Sequence, residues 1–218
     1  MNFKIAPVED GDMDRLFAIT SLAFQQNEEI WNAVYPQHDT PEGRKAGADR
    51  FVQVKAADPN THYIKAITPD GEIAGFAKWN IYRQAFPPSD IKVEGPYWAT
   101  EDGRQYAEHL ANEFFKERVS FVGSKAGHAV NLDQCCVDPK YQRMGIGSAL
   151  VGWGVEKADE LNVDAIVEAS VFGKGLYEKH GFVYQRTVEI PLPDKWTGRP
   201  KCRFAWMVRP ARTSTHSS

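Results

Sequence analysis

The sequence predicts a single domain of the α/β (α+β) class, in which strands and helices follow one another along the chain. Three observations lead to this prediction. The 218 residues suit one fairly large domain. Hydrophobic residues make up 42% of the chain and charged residues 25%, which is ordinary for a globular protein. Apolar positions also change repeatedly between the period of two that is typical of strands and the wider spacing that is typical of helices.

The first half of the chain contains a helical region followed by a hairpin. Asp10 or Asp12 can cap the first helix, and Pro41 is well suited to open the second. The tight turn at residues 69–72 joins two strands into a hairpin. The predicted strands cover residues 3–8, 62–68 and 73–82, and the predicted helices cover 13–24 and 41–57.

The second half begins with a surface loop over residues 83–100, which holds several Pro and Gly residues and has no periodicity. A long helix follows, with Tyr106, Leu110, Phe114 and Val119 among its predicted buried positions. The predicted strands cover 129–137, 163–167, 183–190 and 202–208, and the predicted helices cover 102–120, 145–161 and a short segment around residue 176. No internal repeat or linker separates these elements, so one domain is expected.

The turn after the strand at 129–137 carries the most informative motif. It reads Gln142-Arg143-Met144-Gly145-Ile146-Gly147 and leads directly into an amphipathic helix. A strand, a glycine-bearing turn and a helix N-terminus present several unpaired N–H groups to one point, which suits a phosphate anion. The Walker pattern is excluded because Ser148 follows Gly147 without a lysine, and two glycines late in the chain do not make a dinucleotide fingerprint.

A second motif lies some thirty residues further on, where Leu176-Tyr177 precedes Gly181-Phe182. The short helix that carries Tyr177 ends at Gly181, since glycine readily adopts the left-handed cap conformation. In this order and spacing, the two motifs resemble the signatures of the GCN5-related N-acetyltransferase (GNAT) family. The resemblance extends over about residues 3–209.

This resemblance implies a fold and a cosubstrate. The expected GNAT fold is a mixed, mostly antiparallel sheet of about seven strands with helices on both faces. It would form one N-acetyltransferase domain over residues 1–210, with a helical insertion at about 83–125 beside the acceptor side of the cleft. Residues 211–218 are small and polar and are expected to form a disordered tail. The expected cosubstrate is acetyl-CoA.

The resemblance also implies which residues contact the cosubstrate. In the family, the fourth and fifth strands splay apart and free N–H groups of the fourth strand meet the cofactor. Backbone groups of residues 143–148 are expected to hold the diphosphate, and Ser170 stands where many relatives carry a cofactor-contacting Asn. The full expected set is Cys135, Cys136, Val137, Gln142, Arg143, Met144, Gly145, Ile146, Gly147, Ser148, Ser170 and Tyr177.

Acetyl transfer to an amine requires loss of a proton, because alkyl ammonium groups have pKa values near ~10.4. A positioned carboxylate or a water chain can accept that proton. The glutamate that does so in histone-acetylating relatives falls at Asn131, which cannot act as a base. Asp133 shares strand parity with Asn131 and is the predicted base, with Glu168 and His128 as alternatives. The resemblance places Tyr177 near the coenzyme A sulfur, where its phenol can protonate the departing thiolate.

Bulk composition excludes several other classes. A net charge of −3 without a long basic run disfavours nucleic acid as the main partner. The three cysteines predict neither a disulfide framework nor a metal site, and the adjacent pair Cys135 and Cys136 should point to opposite faces of a strand. Reduced thiols fit a cytoplasmic location, and no apolar run reaches membrane-spanning length.

The sequence therefore predicts acetyl-CoA-dependent transfer of an acetyl group directly to the primary amine of a small molecule. Family members are often homodimers, so a homodimer is a further expectation. Two alternatives stay open at this point: a protein or peptide N-acetyltransferase, and a non-catalytic acyl-CoA-binding module. The bulky insertion disfavours a protein or peptide acceptor. Asn131, which cannot act as a base, leaves the non-catalytic module open.

Overall fold

The computed structural model describes residues 2–25 and 27–212, and its centre is a seven-stranded sheet in the order β1-β2-β3-β4-β5-β7-β6. Each neighbouring pair is antiparallel except β4 and β5, which run parallel. The predicted mixed, mostly antiparallel sheet is therefore confirmed. The strands are β1 (Lys4–Pro7), β2 (Thr61–Ile67), β3 (Ile73–Arg83), β4 (His128–Val137), β5 (Ala165–Ala169), β6 (Val183–Glu189) and β7 (Arg203–Arg209).

Six α-helices cover the described part of the sheet: α1 (Met13–Phe24), α2 (Glu29–Val34), α3 (Pro41–Ala57), α4 (Glu101–Ser124), α5 (Ile146–Leu161) and α6 (Lys174–Lys179). Threonine side chains cap two of them. The Thr40 hydroxyl accepts a hydrogen bond from the Gly43 N–H at 3.0 Å, and the Thr100 hydroxyl accepts one from the Gly103 N–H at 3.1 Å. The sequence predicted every helix except α2.

Helix α5 packs closely on one face of the sheet because a glycine faces a tryptophan. A Cβ atom at Gly154 would lie 2.1 Å from the Trp79 ring, so no larger residue fits against that ring. The Trp79 indole N–H donates to the Leu150 carbonyl at 3.2 Å, which ties the helix to β3. Trp79 is fully buried and lies at the centre of this core.

The opposite face of the sheet is covered by α1, α3 and α4. Phe17, Phe51 and Phe76 form an aromatic core beneath α1 and α3. Farther along the sheet, Tyr106 and Leu110 of α4 pack against the strands and the connection between β6 and β7. Helix α4 and the loop before it occupy the segment where the resemblance to the family predicts a helical insertion.

The strands β4 and β5 pair over only a short length and then diverge. Their pairing covers Val130 with Ala165, Asn131 with Ile166 and Leu132 with Val167. Strand β4 continues to Val137, however, and so leaves one of its edges open.

Within residues 2–25 and 27–212, no helix is long and apolar enough to cross a membrane. Of the tail predicted to be disordered, residues 213–218 lie outside the described residues.

Candidate active site

A bulge in β4 rotates its backbone at the point where β5 leaves. The Val130 N–H donates to the Asp164 carbonyl, toward β5, whereas the Asp138 N–H donates to the Ala74 carbonyl, toward β3. In a regular strand, residues that are an even number of positions apart direct their N–H groups to the same side. Because Val130 and Asp138 direct theirs to opposite sides, an extra residue must lie between them. The register with β3 shifts between Lys78 and Trp79, opposite Asp133 of β4.

The bulge determines which N–H groups reach the gap between β4 and β5. Hydrogen bonds alternate along an antiparallel pair, so Cys136, like Asp138, directs its N–H toward β3. The N–H groups of Cys135 and Val137 therefore face the gap. Cys136, which the sequence analysis placed among the backbone contacts, is corrected on this point because its N–H is used by the sheet.

The turn before α5 forms the other end of the site. Arg143 and Gly145 adopt left-handed conformations, with φ of 64° and 84°. The Gln142 side-chain amide donates to the Val137 carbonyl at 3.2 Å and fixes the turn to the end of β4. The first hydrogen bond within α5 runs from the Ala149 N–H to the Gly145 carbonyl, so the N–H groups of residues 146–148 carry no such bond.

The other residues predicted to contact the cosubstrate lie at different places in and around this turn. The Ser148 hydroxyl lies 2.8 Å from the His180 Nε2 and is held by that ring. Ser170 lines the cavity at the end of β5, opposite the turn. Met144 does not line the cavity, and its side chain is 44% exposed, so only its backbone belongs to the turn.

Tyr177 of α6 lines the same cavity as this turn and the open edge of β4. Its ring packs on Phe182, 6.0 Å between centroids, and only 8% of the residue is exposed. Burial raises the pKa of its phenol well above the ordinary value, and nearby groups that include Cys135, Cys136 and Glu28 act in the same direction. The phenol is therefore protonated at neutral pH.

The cysteines of β4 point to opposite faces of the sheet, as predicted. Cys135 packs with the α5 core and Cys136 with the core under α1. Burial raises the pKa of the Cys135 thiol to about 12 and raises that of Cys136 as well. Thiols in this state are poor nucleophiles, which disfavours an acetyl-cysteine intermediate.

Arg118 of α4 bridges the two strands where they diverge. Its guanidinium donates to both carboxylate oxygens of Glu168 at 3.0 and 2.9 Å, and to Asp133 at 2.6 Å. Lys78 lies 2.8 Å from the second oxygen of Asp133. Asp133 and Glu168 are the next residues beyond the last β4–β5 pair, Leu132 with Val167, so one guanidinium joins both strands at the apex of the gap.

This ion cluster argues against the prediction that Asp133 is the base. Burial alone would raise the pKa of Asp133, but the charges of Lys78 and Arg118 lower it well below its ordinary value. A carboxylate held so strongly in its charged form accepts protons poorly. Glu168 is occupied by Arg118, and by the Asn131 side-chain amide at 3.2 Å. Both carboxylates have structural partners.

The alternative base His128 is also misplaced. It begins β4 and does not line the cavity. Cys135 lies seven positions farther along the strand, which corresponds to about 23 Å in an extended strand.

Glu28 is a carboxylate at the site that the sequence analysis missed. It precedes α2 and lines the cavity together with Cys136 and Tyr177. Its side chain makes no capping hydrogen bond, and no cation among the described residues pairs with it. Burial raises the pKa of Glu28 above its ordinary value. Its charge in turn contributes to the raised pKa values of Cys136, Tyr177 and Cys202, which line the same cavity.

The cavity has a volume of about 1740 Å³ and extends from the turn at residues 142–148, through the gap between β4 and β5, to α4 and the loop before it. Its far half, which we call the acceptor half, is enclosed by α2, α3, α4 and the loop before α4. Aromatic side chains form much of its wall: Trp31, Tyr35, Phe86, Tyr97, Phe114 and Phe115.

Comparison with known proteins agrees with this geometry. A family model described as "Acetyltransferase (GNAT) family" matches residues 24–182, which is well over half of the chain. The chain belongs to the GNAT family. It is therefore an acetyltransferase, of a family that uses acetyl-CoA as the acetyl donor.

Similar proteins of this family include an uncharacterised N-acetyltransferase of Schizosaccharomyces pombe, 23% identical over 97% of this chain and 94% of that protein. Among solved structures, arylalkylamine N-acetyltransferase 2 from Aedes aegypti has a TM-score of 0.64 at 16% identity, covering 96% and 99% of the two chains. A phosphinothricin acetyltransferase from Sinorhizobium meliloti, in complex with AcCoA, has a TM-score of 0.57 at 17% identity, covering 97% and 89%. At these identities, the structures establish the shared GNAT fold.

The cleft of this GNAT chain has features that fit acetyl-CoA. A helix N-terminus with free N–H groups suits a diphosphate, and an open strand edge can receive an extended pantetheine arm. Gly147 lies close to Leu176, where an added Cβ would approach to 3.2 Å, so the turn is narrow as well as polar.

Proposed function

We propose that this chain transfers an acetyl group from acetyl-CoA directly to the primary amine of a small molecule. One observation carries the proposal: the phosphate-binding turn, the open edge of β4 and the carboxylate of Glu28 line one cavity. That arrangement provides an anion site, donors for a carbonyl oxygen and a proton acceptor in a single cleft.

We call the part of the cavity formed by the turn at residues 142–148, the open edge of β4 and Tyr177 the donor half. It would hold acetyl-CoA through main-chain groups. The N–H groups of residues 146–148 are directed at the diphosphate, where the helix dipole also favours negative charge. The N–H groups of Cys135 and Val137 are available to the thioester oxygen. Fixed dipoles that face a developing negative charge can lower a barrier by several kcal/mol. When bound, acetyl-CoA supplies an activated acetyl group and a thiol leaving group.

Glu28 is proposed as the base. Its carboxylate has no partner among the described residues. Because its pKa is raised, it lies closer to the amine pKa of about 10.4, which favours proton transfer from the ammonium group. It would accept the proton of the substrate ammonium, and the neutral amine would then attack the thioester carbon. Its negative charge also attracts the cationic amine before reaction.

Tyr177 is proposed as the acid. Its phenol is protonated at neutral pH, and the described residues offer its hydroxyl no hydrogen-bond partner. The proton can therefore pass to the sulfur as the carbon–sulfur bond breaks. Direct transfer is supported over a cysteine route by the raised pKa values of both thiols in β4.

A small acceptor is favoured by the shape of the acceptor half. Helix α4 and the loop at residues 84–100 line it, and aromatic side chains form much of its wall. A concave, mostly apolar pocket suits the body of a small amine better than a protein surface. The mosquito relative of similar fold is named for arylalkylamines, which are acceptors of this kind.

Tyr177→Phe tests the proposal. We expect kcat to fall about 10²-fold, because the proton donor for the leaving thiol is lost. The Kd of coenzyme A should change little, since the ring remains in place. The measurement is release of free thiol from acetyl-CoA with a panel of amines, combined with calorimetric titration of coenzyme A.

Tyr184→Phe is the matched control, because Tyr184 is an exposed residue of β6 outside the cavity. It should retain the wild-type rate. If the wild-type protein binds coenzyme A but releases no thiol with any amine, the non-catalytic module is supported instead. Turnover confined to peptides would support the peptide N-acetyltransferase.

Gly145→Val should weaken coenzyme A binding at least about tenfold. With φ at 84°, a β-branched residue is strained here and would displace the turn from the diphosphate. No atom lies within 4 Å of the added Cβ, so the fold itself should persist. Calorimetric titration and the melting temperature measure the two effects separately.

Gly71→Val provides the control for backbone strain. Gly71 has a φ of 86° and also has no atom within 4 Å of an added Cβ, but it lies in the turn between β2 and β3. Both variants should lose similar stability, and only Gly145→Val should lose affinity. Equal affinity in the two variants would contradict the role assigned to the turn.

A further inference from the structure

Arg50 is a cation of the acceptor half that has no carboxylate partner among residues 2–25 and 27–212. Three basic residues line the cavity without being exposed: Arg50, Lys78 and Arg118. The last two form ion pairs with Asp133 and Glu168. Within the described residues, no carboxylate pairs with Arg50, so its positive charge remains available to a molecule in the cavity.

The guanidinium of Arg50 is held in place by aromatic rings. Its central carbon lies 4.1 Å from the ring centre of Tyr35, 4.9 Å from that of Tyr97 and 5.5 Å from that of Trp98. These rings belong to the segment after α2 and to the loop before α4. Such stacking restricts the orientation of the guanidinium plane and leaves its edge free for hydrogen bonds.

The polar contacts of Arg50 leave most of that edge unused. One Nη donates to the Val34 carbonyl at 2.6 Å, at the C-terminal end of α2. The Nε and the other Nη have no acceptor among the described residues. A guanidinium with two adjacent free N–H groups can form a bidentate pair of hydrogen bonds with a carboxylate.

Helix α2 lies between Glu28 and the backbone group that Arg50 binds. Glu28 stands at the N-terminal end of α2, and Arg50 binds the carbonyl of the last residue of that helix. A helix of six residues is about 9 Å long. Glu28 and Arg50 therefore lie at opposite ends of this helix, and both line the cavity.

We propose that Arg50 is an anion subsite and that the acceptor is an amine that also carries a carboxylate. This inference rests on the proposed function, because Glu28 fixes the position of the amine. The carboxylate would accept hydrogen bonds from the Nε and the free Nη of Arg50. The aromatic wall would contact the chain between the two charged groups. Arg50 thus determines specificity and takes no part in proton transfer.

The test compares ω-aminoalkanoates of four to eight carbons with n-alkylamines of the same lengths. We expect wild-type kcat/KM to be about 10- to 100-fold higher for the best aminoalkanoate than for its matched alkylamine, mainly through KM. Arg50→Gln should abolish this preference and leave kcat/KM for the alkylamine near its wild-type value. Arg50→Lys should retain part of this preference, since lysine keeps the positive charge but lacks the planar guanidinium that forms bidentate hydrogen bonds.

Arg203→Gln is the matched control, because Arg203 lines the same cavity but is exposed and has no ion pair in the described part of the chain. It should retain the wild-type preference. The proposal is overturned if wild type does not prefer the carboxylated acceptors, or if Arg50→Gln lowers both activities equally. Absence of turnover with every amine is a different result and contradicts the proposed function itself.

Discussion

Glu28→Gln is expected to lower kcat by about 10²- to 10⁴-fold with an alkylamine acceptor, while the Kd of coenzyme A changes little. The substitution keeps the size and hydrogen-bonding capacity of the side chain but removes the proton acceptor. Steady-state thiol release and calorimetric titration of coenzyme A measure the two quantities. The effect should exceed that of Tyr177→Phe, because the ammonium substrate cannot attack until its proton has left.

The pH dependence should identify Glu28 more specifically than the rate alone. A base acts in its deprotonated form, so kcat/KM should rise with pH through the pKa of Glu28. Because burial raises that pKa, the rise should occur at a higher pH than for an ordinary glutamate. In Glu28→Gln this part of the profile should be absent, and only the titration of the amine itself should remain.

Glu94→Gln is the control for a general loss of negative charge, since Glu94 lines the same cavity but is exposed. It should retain most of the activity and the acidic limb of the pH profile. If Glu94→Gln and Glu28→Gln lower kcat equally, Glu28 acts by attracting the amine and is not the base. A wild-type profile without an acidic limb would also contradict the assignment.

The strand, turn and helix of the proposed donor half could be predicted from sequence because they depend on local backbone geometry. A strand, a turn and a helix that are contiguous in the chain place their N–H groups together without help from distant residues. The predicted helix start at residue 145 lies one residue from the observed start of α5 at Ile146. The bulge at Asp133 could not be predicted, because it appears only in the pairing with β3. Cys136 was therefore assigned to the gap incorrectly.

The acceptor half depends on tertiary contacts and was predicted less well. Parity correctly placed Asp133 with Asn131, but the charges that set its pKa come from Lys78 and Arg118, far along the chain. Helix α2, which follows Glu28, has only six residues and shows no clear helical period. The sequence did contain one neglected signal. Tyr106, Leu110 and Phe114 recur every four residues, and the next position in that series is Arg118.

Arg118→Met is expected to destabilise the fold by about 3–5 kcal/mol. Arg118 is fully buried, and its loss leaves Glu168 charged without its cation and Asp133 with Lys78 alone. For a domain of this size, the melting temperature should fall by roughly 6–20 °C, as measured by thermal denaturation. Coenzyme A binding should also weaken, because the same guanidinium joins β4 to β5 at the apex of the gap.

The double variant Arg118→Met/Glu168→Gln separates the loss of charge balance from the loss of the contact. If the destabilisation comes from an uncompensated carboxylate, neutralising Glu168 should recover a substantial part of the stability. The position of β4 relative to β5 would still lack its bridge, so coenzyme A affinity and kcat should remain below wild type. Recovery of stability and activity together would show that the bridge does not position the strands. Lack of any recovery in stability would show that the packing of the Arg118 side chain dominates over its charge.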